Sequence, residues 1–500
     1  MTQLYGWKVC CAVLLFCAAT ALIARAQVFT TLADFNGTTG SPIFASLVQG
    51  IDGDFYGTTY SGGSCLSEDC GTIFKVTPAG VMTTIYNFCT QPNCTDGSNP
   101  AVGLVLGTDG VFYGTTFLGG DLSCMPPNGC GSVFRFSPTT GSLTTMHTFE
   151  LADGALPFAP LVQGVDGEFY GTTADGGNLM CAANGCGTVF KITSDGMLRV
   201  LHKFAGAPND GANPEGVLVQ ATNGNFYGIT PGGGSESGCN SGPCGTAFKI
   251  TPSGIVTILH NFCSQDGCRD GNSPAGGLIQ AGDGRFFGTT SLGGTYNGGT
   301  LFMMDVAGKL RTVYSFCSQS DCSDGDMPFG TLLQATDANL YGTTAQGGNG
   351  SGNCASEPPG CGTVFEFSAG GSLTVLHAFD SGDGQYPYPG LLQATNGIFY
   401  GTTAAGGADD HGTVYSLDAG LGAFVAFVRS AGKVGQTGGI LGQGFTGTTS
   451  VMLNGVPANF TVVSNTYIKA TVPPGAATGY VTVTTPTGVL TSNVPFHVIR

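Results

Sequence analysis

The chain has 500 residues, of which 85 are glycine and only 10% are charged, and its formal charge is −16. Glycine at this level without a G-X-Y period excludes collagen, and 41% hydrophobic with 10% aromatic residues excludes a disordered chain. The charge sets the protein against nucleic acid and anionic membrane surfaces, and suits a soluble extracellular protein or one that meets cations or neutral sugars.

The first element is a leader. Lys8 is followed by an apolar run over residues 9–23 and by Ala24-Arg25-Ala26. A basic residue, a short apolar core and an A-x-A end predict a secretory signal over residues 1–26, cleaved after Ala26. The rival reading is an uncleaved anchor, for which the run is short. Without Lys8 and Arg25 the mature chain carries 14 basic and 32 acidic residues, a formal −18, and no membrane span.

From residue 28 the chain repeats. Tyr56-Gly57-Thr58-Thr59 recurs at Tyr113, Tyr170, Tyr227, Phe287, Tyr341 and Tyr400, in steps of 57, 57, 57, 60, 54 and 59 residues. Each unit reads as four strands. Strand A is LVQ or LLQ. An Asp-Gly pair such as Asp166-Gly167 follows, the signal for a two-residue type I′ hairpin. Strand B is FYGTT, strand C is GTVFKI and strand D is T-x-L-H-x-F. Successive apolar residues in B and C predict sheets packed on both faces. Four such strands make a propeller blade, so residues 27–422 predict a seven-bladed β-propeller. The lone D-type strand at its start would complete the seventh blade and leave no edge. A parallel solenoid ranks second, because it needs no hairpins inside each unit.

Once Cys10, Cys11 and Cys17 leave with the leader, sixteen cysteines remain in eight close pairs. These are Cys65/Cys70, Cys89/Cys94, Cys124/Cys130, Cys181/Cys186, Cys239/Cys244, Cys263/Cys268, Cys317/Cys322 and Cys354/Cys361. In an exported chain this predicts local disulfides; structural zinc prefers spacings such as C-x2-C.

The motif D-G-x-F-Y-G-T-T-x-x-G-G…G-T-V-F-K, as over residues 166–191, resembles the Gloeo/Verruco (choice-of-anchor) tandem repeats across residues 28–420. The resemblance implies an exported repeat protein and supplies no catalytic mechanism. Residues 423–500 resemble an IPT/TIG domain, an immunoglobulin-like β-sandwich. Short alternating strands such as Tyr480-Val481-Thr482-Val483 and turns at Asn454-Gly455 and Thr487-Gly488 read the same way. The resemblance implies a binding, dimerising or spacing module.

Loops B–C and D–A should emerge at one end, and every cysteine pair lies in one of them. The D–A loops carry Asn36, Asp96, Asp153, Asp210, Asp270, Asp324 and Asp383, read as Asx turns or, alternatively, as calcium ligands. After the loop proline the residue varies: Ile43, Ala101, Phe158, Glu215, Ala275, Phe329 and Tyr388. Phe158, Glu215, Phe329, Tyr386 and Tyr388 are the candidate ligand-binding residues, aromatic rings being suited to stack on sugars. Strand D places His147, His202, His260 and His377 where Tyr86 and Tyr314 stand elsewhere, which marks a packing position. His411 stands beside Asp409 and Asp410 as an isolated acid–base candidate. No G-x-S-x-G, H-E-x-x-H or phosphate loop occurs, so no catalytic residue, metal or cofactor is assigned. The expectation is a secreted or cell-surface, non-enzymatic binding module for glycan or protein. The alternatives are a carbohydrate-active hydrolase or lyase on the same rim, and a purely structural surface protein.

Overall fold

The computed structural model describes residues 27–41, 44–65, 70–235, 244–348, 354 and 360–499; the expected leader lies outside them. The described chain is dominated by antiparallel β-sheet. In sheet three, strands A (Val162–Gln163), B (Phe169–Thr173), C (Thr188–Ile192) and D (Leu198–Lys203) lie side by side in chain order. The pattern recurs in sheets one (Val48–Gln49 to Met82–Asn87), two (Val105–Leu106 to Ser142–Thr148), four (Val219–Gln220 to Val256–Asn261), five (Asn272–Gln280 to Leu310–Ser315) and six (Leu333–Gln334 to Leu373–Ala378). Sheet seven takes A, B and C from Leu392–Gln393, Phe399–Thr402 and Thr413–Asp418. Its D strand is Val28–Asp34, paired from Val28/Asp418 to Asp34/Thr413.

The repeated motif explains the packing. All five residues of Phe169–Thr173 are buried. The ring of Tyr170 stacks on Phe226 of the next sheet at 4.0 Å between centroids, and Tyr113 on Phe169 at 3.9 Å. Tyr400 of sheet seven meets Phe55 of sheet one at 4.0 Å, with the rings tilted by 38°. Gly171 is required by close approach: a Cβ there would stand 2.6 Å from the Phe190 ring.

The hairpins between A and B differ from the expected two-residue type I′ turns. Gly164 N bonds Glu168 O and Gly167 N bonds Gly164 O, which closes a three-residue loop with only Gly167 at positive φ. Type I′ needs positive φ at both central residues, whereas a type I turn followed by one left-handed residue does not. The aspartate has a second use, since Tyr170 Oη donates to Asp166 Oδ2 at 2.7 Å. In sheet six the left-handed place falls to Ala338, at φ 69°.

Six joints between neighbouring sheets carry a side-chain clamp. The strand A glutamine of one sheet accepts from a backbone N–H in the A–B turn of the sheet before it. Thr108 bonds Gln163, Val165 bonds Gln220, Thr222 bonds Gln280, Gly282 bonds Gln334 and Thr336 bonds Gln393, all at 2.9–3.1 Å. Thr395 of sheet seven bonds Gln49 of sheet one at 3.0 Å, so the pair formed by the two ends of the region is clamped like the others. The joint between sheets one and two has Leu106 in place of glutamine.

The C-terminal segment fills that joint. It holds two four-stranded sheets, one of Ala426–Phe427, Thr437–Leu441, Tyr467–Thr471 and Phe460–Ser464, the other of Val456–Pro457, Ser450–Leu453, Val481–Thr485 and Gly488–Thr491. They share an apolar core that includes Ile440, Val451, Ile468 and Val483. Leu441 and Tyr467 pack with Tyr56, Leu106 and Phe112, and Thr466 Oγ1 donates to Ile51 O at 2.7 Å. Gln443 reaches Thr395 Oγ1 at 3.0 Å and Arg429 reaches Val165 O at 3.5 Å. Ile51, Val165 and Thr395 all lie in A–B turns. The segment therefore seats on the end of the repeat region formed by the A–B and C–D turns, and the B–C and D–A loops occupy the other end.

Candidate functional site

The loop end is built on repeated polar latches. Thr173 Oγ1 meets Thr188 Oγ1 at 2.9 Å where strands B and C emerge, and the six other sheets repeat the contact with Thr or Ser. Beyond it, seven cysteine pairs stand at disulfide distance: Cys65–Cys70, Cys89–Cys94, Cys124–Cys130, Cys181–Cys186, Cys263–Cys268, Cys317–Cys322 and Cys354–Cys361. Cys239, the expected partner of Cys244, lies outside the described residues.

The D–A loop aspartates are tied to the strand D histidines and tyrosines, a link the sequence reading did not make. His147 pairs with Asp153 at 2.9 Å, His202 with Asp210 at 2.9 Å, His260 with Asp270 at 3.0 Å and His377 with Asp383 at 2.8 Å. Tyr86 donates to Asp96 and Tyr314 to Asp324. Asp270 also accepts from Ser264 N, Ser264 Oγ and Gln265 N. Its burial raises the carboxyl, but the bonds from His260, Ser264 and Gln265 outweigh that and hold it below the usual range. In the loop from sheet seven to sheet one the spacing pointed to Asn36. The backbone gives that place to Thr39, whose hydroxyl accepts from Asn36 N as Asp153 accepts from Glu150 N.

The variable position after the loop proline forms one level of the loop end. Thr58 Oγ1 bonds Val102 O, Thr343 bonds Pro389 O and Thr402 bonds Ala45 O, which aligns Ala101, Tyr388 and Phe44. Phe44, not Ile43, thus holds the first repeat's place; Ile43 itself is outside the described residues. Phe329 meets Tyr388 at 5.5 Å, Tyr388 meets Phe44 at 5.7 Å and Phe44 meets Tyr60 at 5.9 Å. Tyr60 reaches Phe117 at 6.3 Å and Phe117 meets Phe158 at 5.5 Å. Six half-buried rings make one continuous arc across the loop ends of successive sheets. Tyr386 lies at φ 55° and stacks on Tyr388 at 5.9 Å. The corresponding Asn99, Leu156, Asn213, Ser273 and Met327 are also left-handed, an uncommon state for bulky side chains. Of the sequence candidates, Phe158, Phe329 and Tyr388 belong to the arc, and Tyr386 stacks beside it on Tyr388. Phe44, Tyr60 and Phe117 were missed. The last two follow strand B at a place filled elsewhere by Ala174, Pro231, Ser291, Ala345 and Ala404, a variation that the sequence does display.

Glu215 occupies the place next after Phe158 and is the only charged member of its level. It faces solvent among surrounding protein, which raises its carboxyl, and the charge of Asp175 raises it further. The Asp175 carboxyl is also raised by burial, against hydrogen bonds from Asn184 and Asn213. His411 lies apart, in the B–C connection of sheet seven.

The Gloeobacter/Verrucomicrobia repeat family matches over residues 20–183, 125–355 and 235–459. The chain belongs to this family. An IPT/TIG domain matches residues 425–498. No curated protein matches. Among solved structures, this member of the repeat family is similar to oligogalacturonate lyase from Vibrio parahaemolyticus, at 12% identity over 78% of this chain and 96% of that one, with a TM-score of 0.46. A Bacteroides thetaiotaomicron protein of unknown function matches at 12% identity over 78% of this chain and 76% of that one, TM-score 0.41. TolB from Acinetobacter baumannii matches at 11% identity over 61% of this chain, and the chain spans 58% of TolB, TM-score 0.35. No activity is carried over from these structures. No helix among the described residues is long and apolar enough to cross a membrane.

Proposed function

We propose that the seven sheets are the blades of a closed propeller and that the C-terminal segment is an immunoglobulin-like sandwich plugging its turn end. The proposed protein is exported after cleavage near Ala26 and acts outside the cell as a binding module. Its loop end is a glycan-binding mouth. The observation that carries this reading is the arc from Phe329 through Tyr388, Phe44, Tyr60 and Phe117 to Phe158. Half-buried rings in a row, packed edge-to-face or tilted on one another, offer apolar surface on which pyranose rings can rest, on loops held by disulfides and latches.

A glycan array probed with the mature protein tests it. Wild type should bind a defined saccharide set. Phe117→Ala with Tyr388→Ala should lose about tenfold or more in affinity while its unfolding midpoint stays close to wild type. Binding unchanged in a folded double variant would sink the assignment of the mouth. The second reading, a glycan hydrolase or lyase, is favoured by one observation: Asp175 and Glu215 both have raised carboxyls beside the arc. Turnover of the bound saccharides, abolished by Glu215→Gln, would decide for it.

A further inference from the structure

We infer that the aromatic mouth selects saccharides carrying protonated amines and rejects those carrying carboxylates. This rests on the glycan reading above and names the class of glycan. Ten of the basic residues belong to the seven sheets and their connections. Eight of these (Lys75, Arg135, Lys191, Arg199, Lys249, Arg285, Lys309 and Arg311) stand at the turn end. Lys203 and Arg269 alone stand at the loop end. Seventeen described Asp and Glu residues stand at the loop end against eleven at the turn end. Residues 423–500 contain no acidic residue and four basic ones. The negative charge of the described repeats is therefore concentrated at the end that carries the arc. Six of the seventeen carboxylates are held in latches to His or Tyr, which leaves eleven against two basic residues.

Aromatic faces and carboxylates cooperate on one kind of ligand. A ring face attracts a cation through its quadrupole, and a nearby carboxylate adds Coulomb attraction that salt weakens. Glu215 is the group placed to do this, because it holds in the next repeat the place that Phe158 holds at the end of the arc. Asp175 lies close enough for its charge to act on the Glu215 carboxyl, so the two acids form one pair. A uronate would bring a third carboxylate to this pair, at an end where carboxylates outnumber Lys and Arg seventeen to two among the described residues.

Three tetrasaccharides of equal length test the inference by calorimetry on the mature protein: glucosamine, N-acetylglucosamine and galacturonic acid, at a pH where the amines are protonated. At low ionic strength the glucosamine tetramer should bind about tenfold more tightly than the acetylated one, and the uronate should not bind measurably. The ratio of amine to acetylated affinity should fall toward one in about 1 M salt, where the screening length is ~3 Å. It should also fall in Glu215→Gln. Equal or tighter uronate binding would overturn the inference, as would an amine preference that ignores both salt and Glu215→Gln. Binding of the acetylated tetramer with no amine preference refutes the charge selection and leaves the glycan mouth standing. Silence from all three, with an empty array, removes the mouth itself.

Discussion

The two ends of the repeat region are made by the same motif and differ in what varies. At the turn end, Asp52, Asp109, Asp166 and Asp337 each accept from the tyrosine four residues on. Asn223 and Asn396 reproduce the contact as donors. The glutamine clamps recur at six joints. At the loop end the B–C hydroxyl contacts and the aspartate latches recur too, but the residue after the loop proline is Phe, Tyr, Ala or Glu. Uniform geometry at one end and a variable side chain at the other fit the proposed reading, in which assembly and recognition fall to opposite ends. The C-terminal segment seats on the uniform end and leaves the variable end uncovered.

The comparison breaks first where a sheet meets its neighbour. Tyr170→Ala removes a buried ring stacked on Phe226 and anchored to Asp166, and should cost about 3–5 kcal/mol in urea denaturation. A loss below about 1 kcal/mol would mean that the sheets do not depend on this contact. Next comes the latch: Asp270→Ala removes a fully buried carboxylate and with it the partner of two backbone N–H groups and of His260, and should cost about 2–3 kcal/mol. Because the Asp270 carboxyl is lower folded than unfolded, its contribution is present above the ordinary aspartate pKa and fades as pH falls through the depressed one. Wild type should therefore lose more stability than Asp270→Asn on acidification below pH ~4. Thr466→Val at the seat of the C-terminal segment should cost about 1 kcal/mol, read as a lower midpoint for that segment's unfolding. Ala338→Gly should go the other way and stabilise by up to ~1 kcal/mol, since Ala338 holds a left-handed place that glycine fills elsewhere.

Strand order was legible because FYGTT, its glycine turns and its spacing repeat, so each element announced itself seven times. Local backbone chemistry was less legible. Asp-Gly signals a type I′ turn in isolation, yet the tyrosine four residues later takes the aspartate side chain and a third loop residue fits. The partnership of His147 with Asp153 was invisible because the two were read as separate rings of the repeat. Half of the arc was found from the loop proline. Phe44 escaped because the first loop places its proline one residue off the frame, and only the bond from Thr402 to Ala45 fixes its place.

Leu106 carries a practical consequence. A chain stopped before the C-terminal segment would expose a greasy seam of Leu106, Tyr56 and Phe112 at the one joint without an amide tie. Such a fragment should stick to its own copies, and a Gln graft at residue 106 is the natural remedy for anyone wishing to handle the repeats alone.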